Sequence, residues 1–220
     1  MDKPSRIEQF VNELNLCLTP NYEVINEVFN FEYGYPALDP IRDEICKCII
    51  CGLYQSTITL TNHLLEKSLK FCLAIRYSRE NRKENAKIED VFTEGIEKYD
   101  NLNLDDTINR ACRQGLITKE EKSELKNFKD TFRNPYSHAN TDIYKNISIK
   151  GKVVTTRDLE NGLEPFLIKC FDGKSDRIMP LKNLPFAQGI FQVEIAKKDC
   201  VPYFKRVDEI IRNMLQKLKD

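Results

Sequence analysis

The stretch from Asp39 to about Tyr77 constrains this chain more than any other part of it. Asp39-Pro40 reads as a helix start, a capping residue followed by proline at the first helical position. Beyond it no residue firmly stops a helix. Ile49, Leu53, Leu60 and Leu64 form one apolar stripe, and Ile50, Ile58, Leu65, Leu69 and Cys72 form its neighbour. So wide an apolar face belongs to the central helix of a bundle. Uninterrupted, such a helix would be roughly 57 Å long at 1.5 Å per residue, too long for a domain of this size. A break is therefore expected, and Gly52 is the residue that could kink it.

The chain has 220 residues, 41% of them hydrophobic, with 34 basic and 34 acidic side chains. These proportions describe a soluble globular protein and exclude a disordered one. Zero net charge argues against a protein that coats nucleic acid or anionic lipid. The balance is uneven, however. Residues 1–45 hold three basic and nine acidic side chains, which leaves +6 on the remaining 175. Arg76, Arg79, Arg82, Lys83 and Lys87 form the densest basic run, to be read either as a solvated loop or as a contact for RNA. Only eight glycines are present, which disfavours a phosphate-cradling loop. The N-terminus has no apolar core of signal-peptide length. The most apolar stretch, Cys46 to Leu65, is interrupted by Gln55, Ser56, Thr57, Thr59, Thr61, Asn62 and His63, so no membrane span is expected. The expected location is cytoplasmic, and the eight cysteines are then free thiols. Cys46, Cys48 and Cys51 lack a second pair at zinc-site spacing, so no metal site is assigned.

Along the chain, Ile7, Phe10, Val11, Leu14 and Cys17 predict an amphipathic helix over 4–17 that Pro20 ends, with a second short helix at 22–31. Residues 78–87 read as a polar loop or frayed end. Helices are predicted at Ile88–Tyr99 and Asp106–Leu116, the second stopped by Gly115. Thr118 and Glu121 have capping-box spacing and open a helix carrying Leu125, Phe128 and Phe132, which Pro135 ends. Residues 143–195 read as a small β-rich insertion, with a strand at Phe166–Phe171, a hairpin turn at Asp172-Gly173 and a strand carrying Phe191, Val193 and Ile195. A C-terminal helix at 197–219 returns to the bundle. The expected architecture is mainly α, one domain spanning 1–220.

One of the two histidines, His138, lies in Arg133-Asn134-Pro135-Tyr136-Ser137-His138, just past a predicted helix end. Asn134 suits an N-cap and Pro135 the first position of a following turn, which sets Asn134 and His138 on one face. A histidine beside an arginine and in the first turn of a helix has its charged form disfavoured, so it can serve as a base. The arginine offers a planar cationic fork for phosphate oxygens. A base and a phosphate clamp suit attack by a ribose 2′-hydroxyl on its own phosphodiester. The alternative is that Arg133 and His138 only finish a helix end and pair with carboxylates. Tyr136 could stack on a base or belong to the core, and Ser137 flanks it. His63, three residues before Glu66, reads as structural; Glu66 or Asn62 could buttress Arg133.

These residues resemble the HEPN superfamily (higher eukaryotes and prokaryotes nucleotide-binding domains). Arg133-Asn134 and His138 match its R-x(4–6)-H signature, the stretch Leu116 to Glu121 with Leu125 looks like the helix leading into it, and Ile49–Leu73 looks like its long core helix. The similarity covers roughly residues 40–140 and the final helix. Pro135 and the insertion depart from the minimal pattern. The resemblance implies a HEPN-like bundle and a metal-independent endoribonuclease of a toxin–antitoxin, abortive-infection or other defence system. It implies a homodimer in which two motifs form one composite site, with Arg133 holding the scissile phosphate, His138 as base or acid, and Asn134 orienting them. Tyr136, Ser137, Arg76 and Arg79 are the expected RNA contacts. No cofactor is called for, and an antitoxin or other defence protein is a further expected partner. The competing expectations are a non-catalytic HEPN-like module binding RNA, a nucleotide or a protein, and a helical interaction protein with no role in nucleic-acid chemistry.

Overall fold

The computed structural model describes residues 5–81, 88–138, 144, 146–152, 176–183 and 185–219. The protein is mainly helical, and its contacts divide it into two units: residues 1–139 with 193–220, and residues 140–192.

In the first unit, α1 (Arg6–Phe29) opens on a capping box: Ser5 Oγ accepts from the Glu8 amide, and the Glu8 carboxylate accepts from the Ser5 amide. The helix runs through Pro20, which corrects the expected stop there and joins the two short predicted helices into one. Proline removes the bond to the Leu16 carbonyl, but Leu16 is 77% exposed, so water can serve that carbonyl. Beyond the proline, buried Ile25 and the bond from Asn21 Nδ2 to the Ile49 carbonyl (2.8 Å) hold the helix to the bundle.

The expected break in the long segment falls at Gly52. α2 (Asp39–Ile50) ends at Cys51, Gly52 takes φ +72°, and α3 (Tyr54–Glu80) begins anew. A left-handed residue is cheap only for glycine. α3 buries Ile58, Leu64, Leu65, Leu69 and Cys72 of the two predicted stripes, and Leu73 besides, while Leu60 is half-buried and Leu53, just before the helix, is exposed. α4 (Ile88–Asp100) crosses α3 closely: a Cβ on Gly95 would stand 2.9 Å from the Ala74 carbonyl oxygen. α5 (Leu104–Arg113) is capped by Asn103, whose side chain accepts from the Asp106 amide, and ends before Gly115 at φ +73°. α6 (Lys119–Phe128) starts with the predicted Thr118/Glu121 capping box.

The expected stop at Pro135 is also corrected. α6 widens into a π turn, Lys129–Arg133, and continues as α7 (Asn134–His138). A proline ring clashes with the carbonyl four residues back, here that of Thr131. The wider turn relieves that clash, so the chain stays helical.

The last helix, α8 (Pro185–Gln216), corrects two expectations. It begins well before 197, and Phe191, Val193 and Ile195 lie in it rather than in a strand. A short apolar alternation does not distinguish strand from helix, and here it is continuous with the helical pattern ending in buried Ala196 and Cys200. Pro202 sits inside the helix on an exposed face.

The part of α8 that belongs to the first unit closes the bundle with Phe204, Val207, Ile210, Ile211 and Met214, all fully buried. Buried Asp208 accepts from the Tyr33 hydroxyl and from Arg42 Nε, each at 2.7 Å, and pairs with Arg212. The Arg42 guanidinium also donates to the Phe31 and Val28 carbonyls.

In the second unit, β1 (Ser148–Lys152) pairs antiparallel with β2 (Asp176–Pro180), Lys150 opposite Ile178. A 3₁₀ turn, Leu181–Asn183, follows, and the Leu181 amide donates to the Ile147 carbonyl at 2.8 Å. The Tyr144 hydroxyl donates to the Gln188 carbonyl at 3.1 Å. The strand expected at Phe166–Phe171, the turn at Asp172-Gly173, and Cys170, Arg82, Lys83 and Lys87 lie outside the described residues.

Candidate functional site

The Arg-Asn-Pro motif is anchored from below by aromatic packing. Phe132, the residue before Arg133, stacks on Tyr203 of α8 with ring centres 4.2 Å apart and planes 24° apart. Phe128 meets the same tyrosine edge-on at 5.0 Å. The Tyr203 hydroxyl donates to Asn62 Oδ1 of α3 at 2.7 Å. Three elements thus fix the point where the π turn ends. Aromatic pairs of this geometry contribute about 0.5–1.5 kcal/mol beyond the area they bury.

Arg133 is half-buried at the end of the π turn. Asn134 does not form the expected cap. Its backbone is α-helical (φ −63°, ψ −47°), its amide donates five residues back to the Lys129 carbonyl, and Nδ2 donates to Asp130 Oδ1 at 3.2 Å. Pro135 is buried, and Tyr136 packs against the core, which favours the core alternative for that ring. Ser137 and His138 complete the backbone of α7. Along the backbone of α7, Asn134 and His138 are one helical turn apart.

The other expected contacts are placed elsewhere. Arg76 donates to the Gln114 carbonyl and pairs with Glu80 at 3.4 Å, and Arg79 is exposed in the last turn of α3. Gln114 lies just before α6, whereas Arg133 lies past its far end. Arg76 also sits fourteen residues along α3 from Asn62, about 21 Å at the helical rise. The structure therefore separates Arg76 and Arg79 from the motif. Asn62 is engaged by Tyr203, and Glu66 pairs with Lys70 at 3.1 Å. His63 is exposed and borders a cavity of about 480 Å³ between α3 and α4, lined by Phe71, Ala74, Phe92, Ile96 and Tyr99, which no motif residue reaches.

Burial pushes the thiols of Cys46 and Cys200 up to about 11 and that of Cys72 up to about 12, which marks them as core groups. Among the described residues no group of three His, Cys, Asp or Glu side chains is placed to hold a metal ion, and no helix is long and apolar enough to cross a membrane.

A row of lysines beside the motif escaped the sequence reading. Lys119, Lys122, Lys126 and Lys129 recur at three- and four-residue steps along α6 and into the π turn. Lys126 and Lys129 both pair with Asp105 of α5, at 3.2 and 2.9 Å. Their bonds, that of Lys129 foremost, hold the Asp105 carboxyl below its ordinary range. The helical spacing of these lysines was available in the sequence, but Glu120, Glu121 and Glu124 interleaved with them concealed it.

Compared with known proteins, the chain matches no family model, no curated protein and no solved structure.

Proposed function

We propose that this chain is a metal-independent endoribonuclease of the HEPN type, acting as a pair of chains whose Arg133–His138 segments meet, in a toxin or other defence system. The observation that carries the reading is the seating of the motif. Arg133 and Asn134 end a π turn clamped by the Phe132–Tyr203 stack, yet Arg133 keeps part of its surface open. Single π turns inside α-helices frequently mark functional positions.

In this reading His138 takes the proton of a ribose 2′-hydroxyl, and that oxygen attacks the adjacent phosphorus. Arg133 holds the two non-bridging oxygens through the charged intermediate, and Asn134 orients the clamp. The bond to the 5′-oxygen then breaks as that oxygen receives a proton from the protonated His138 of the second copy, leaving a 2′,3′-cyclic phosphate and a 5′-hydroxyl.

The test is to incubate the purified full chain with RNA in EDTA. The expected result is cleavage with cyclic-phosphate ends, lowered about 10²–10⁴-fold by His138→Ala. Arg133→Lys keeps the charge but not the fork, and is expected to lose much of the rate. RNA left intact by the wild-type chain, or cut equally by His138→Ala, overturns the reading. A chain that binds RNA through Arg133 without turnover would instead be the non-catalytic module.

A further inference from the structure

Over Lys119–Arg133 the chain has five basic and four acidic side chains, a near balance that the fold pulls apart. The acids are occupied within the bundle or the helix. Glu121 closes the capping box and accepts from Asn213 of α8. Glu124 receives a bidentate guanidinium from Arg206 of α8, with contacts of 2.8–3.0 Å. Asp130 accepts from Asn134. Glu120 at the helix start and Asp130 beside the end of the row stay exposed, and Asp130 also pairs with Lys129 at 3.8 Å. The bases lie on the side toward α5. Lys119 is exposed, and neither it nor Lys122 has a carboxylate partner among the described residues. Lys126 and Lys129 share one half-exposed carboxylate, Asp105.

We propose that this lysine row, Lys119–Lys122–Lys126–Lys129, is the track on which an RNA backbone lies as it enters the motif, and that Asp105 occupies the track in the absence of RNA. The identity of the polyanion as RNA rests on the ribonuclease reading; the track itself rests on the charge separation. A helical step of three or four residues advances about 5 Å, so the row presents a cation on each turn leading to Arg133. Such contacts position a strand without reading its bases, and they act by releasing counterions from the phosphates they neutralise. Two lysines held by one carboxylate keep only part of their attraction for phosphate, so removing that carboxylate should strengthen binding. A lysine row serving only bundle stability predicts no such gain.

The experiment measures the affinity of a single-stranded oligouridylate for the full chain, in the His138→Ala background, as a function of salt. For single strands each phosphate contact contributes about 0.7 to the slope of log K against log salt. The double variant Lys119→Ala/Lys122→Ala is expected to lower the slope by about 1.4 and to weaken binding roughly tenfold near 0.15 M salt. Asp105→Asn is expected to tighten binding by about fourfold. Unchanged affinity and slope in both variants overturn the track, even if the wild-type chain cleaves RNA. If His138→Ala cleaves as wild type does while the lysine and Asp105 variants shift binding as expected, the catalytic reading falls and the track stands.

Discussion

Asp208 is the residue whose environment is most demanding. It is 2% exposed and accepts from Tyr33, Arg42 and Arg212. Burial first, and Asp208 second, hold the Tyr33 hydroxyl far above its ordinary range, so it remains a donor throughout the accessible pH range. Removing one member of a buried ion pair leaves the others uncompensated and costs about 3–5 kcal/mol. Asp208→Ala should therefore lower the unfolding free energy in urea by that amount, and a loss under about 1 kcal/mol would show that the cluster contributes little. The cysteines give a second check. Cys46, Cys72 and Cys200 are buried with raised thiols, whereas Cys17, Cys48, Cys51 and Cys112 are partly exposed. A thiol reagent should label the exposed group in the native chain and reach the buried three only after denaturant is added. The Arg133–His138 segment could be singled out in the sequence because its residues are contiguous. The Asp208 cluster could not, since Arg42 and Tyr33 lie 166 and 175 residues from Asp208 and only Arg212 is near it in the chain.

At the scale of elements, starts and stops written in neighbouring residues were readable, and proline was misleading. Thr118 with Glu121 and the glycines at 52 and 115 bound helices where their local chemistry predicts. Asp39, expected as the cap of α2, instead lies inside its first turn with Leu38 at the cap, and its carboxylate accepts from the Tyr33 and Tyr35 amides. Thr118→Ala should cost about 1 kcal/mol through loss of the cap. Pro20 and Pro135 were expected to end helices, but an exposed carbonyl in one case and a π turn in the other accommodate them. An interior proline costs about 3 kcal/mol relative to alanine. Pro20→Ala should therefore stabilise the chain by a part of that, raising its thermal midpoint; a fall would show that the proline shapes α1. The α3–α4 crossing depends on Gly95. Gly95→Ala forces the helices apart and is expected to cost about 1–3 kcal/mol, since the obstructing atom is backbone. Strand against helix at Phe191–Ile195 was undecidable locally, because three alternating apolar residues fit both periods.

On the scale of the whole molecule, the bundle is assembled from distant parts of the chain. Tyr203 reaches Asn62, Arg206 reaches Glu124, and Lys217 donates to the Leu116 carbonyl at 3.0 Å. A chain shortened to end at residue 192 lacks all three and the counter-ion of Arg42. It should lose cooperative unfolding, and a sharp thermal transition in that variant would contradict the assignment of α8 as the closing element. The same arrangement sets an order in time. During synthesis Tyr33 and Arg42 emerge long before Asp208, and residues 140–192 are made in between. The loop that must close over them carries an entropy cost that grows only slowly with its length, about 0.6 kcal/mol per doubling. The delay is thus one of sequence rather than of energy: the helix bearing Arg133 emerges from the ribosome before the tyrosine that clamps it, and the motif reaches its final seat only once the last helix has been made.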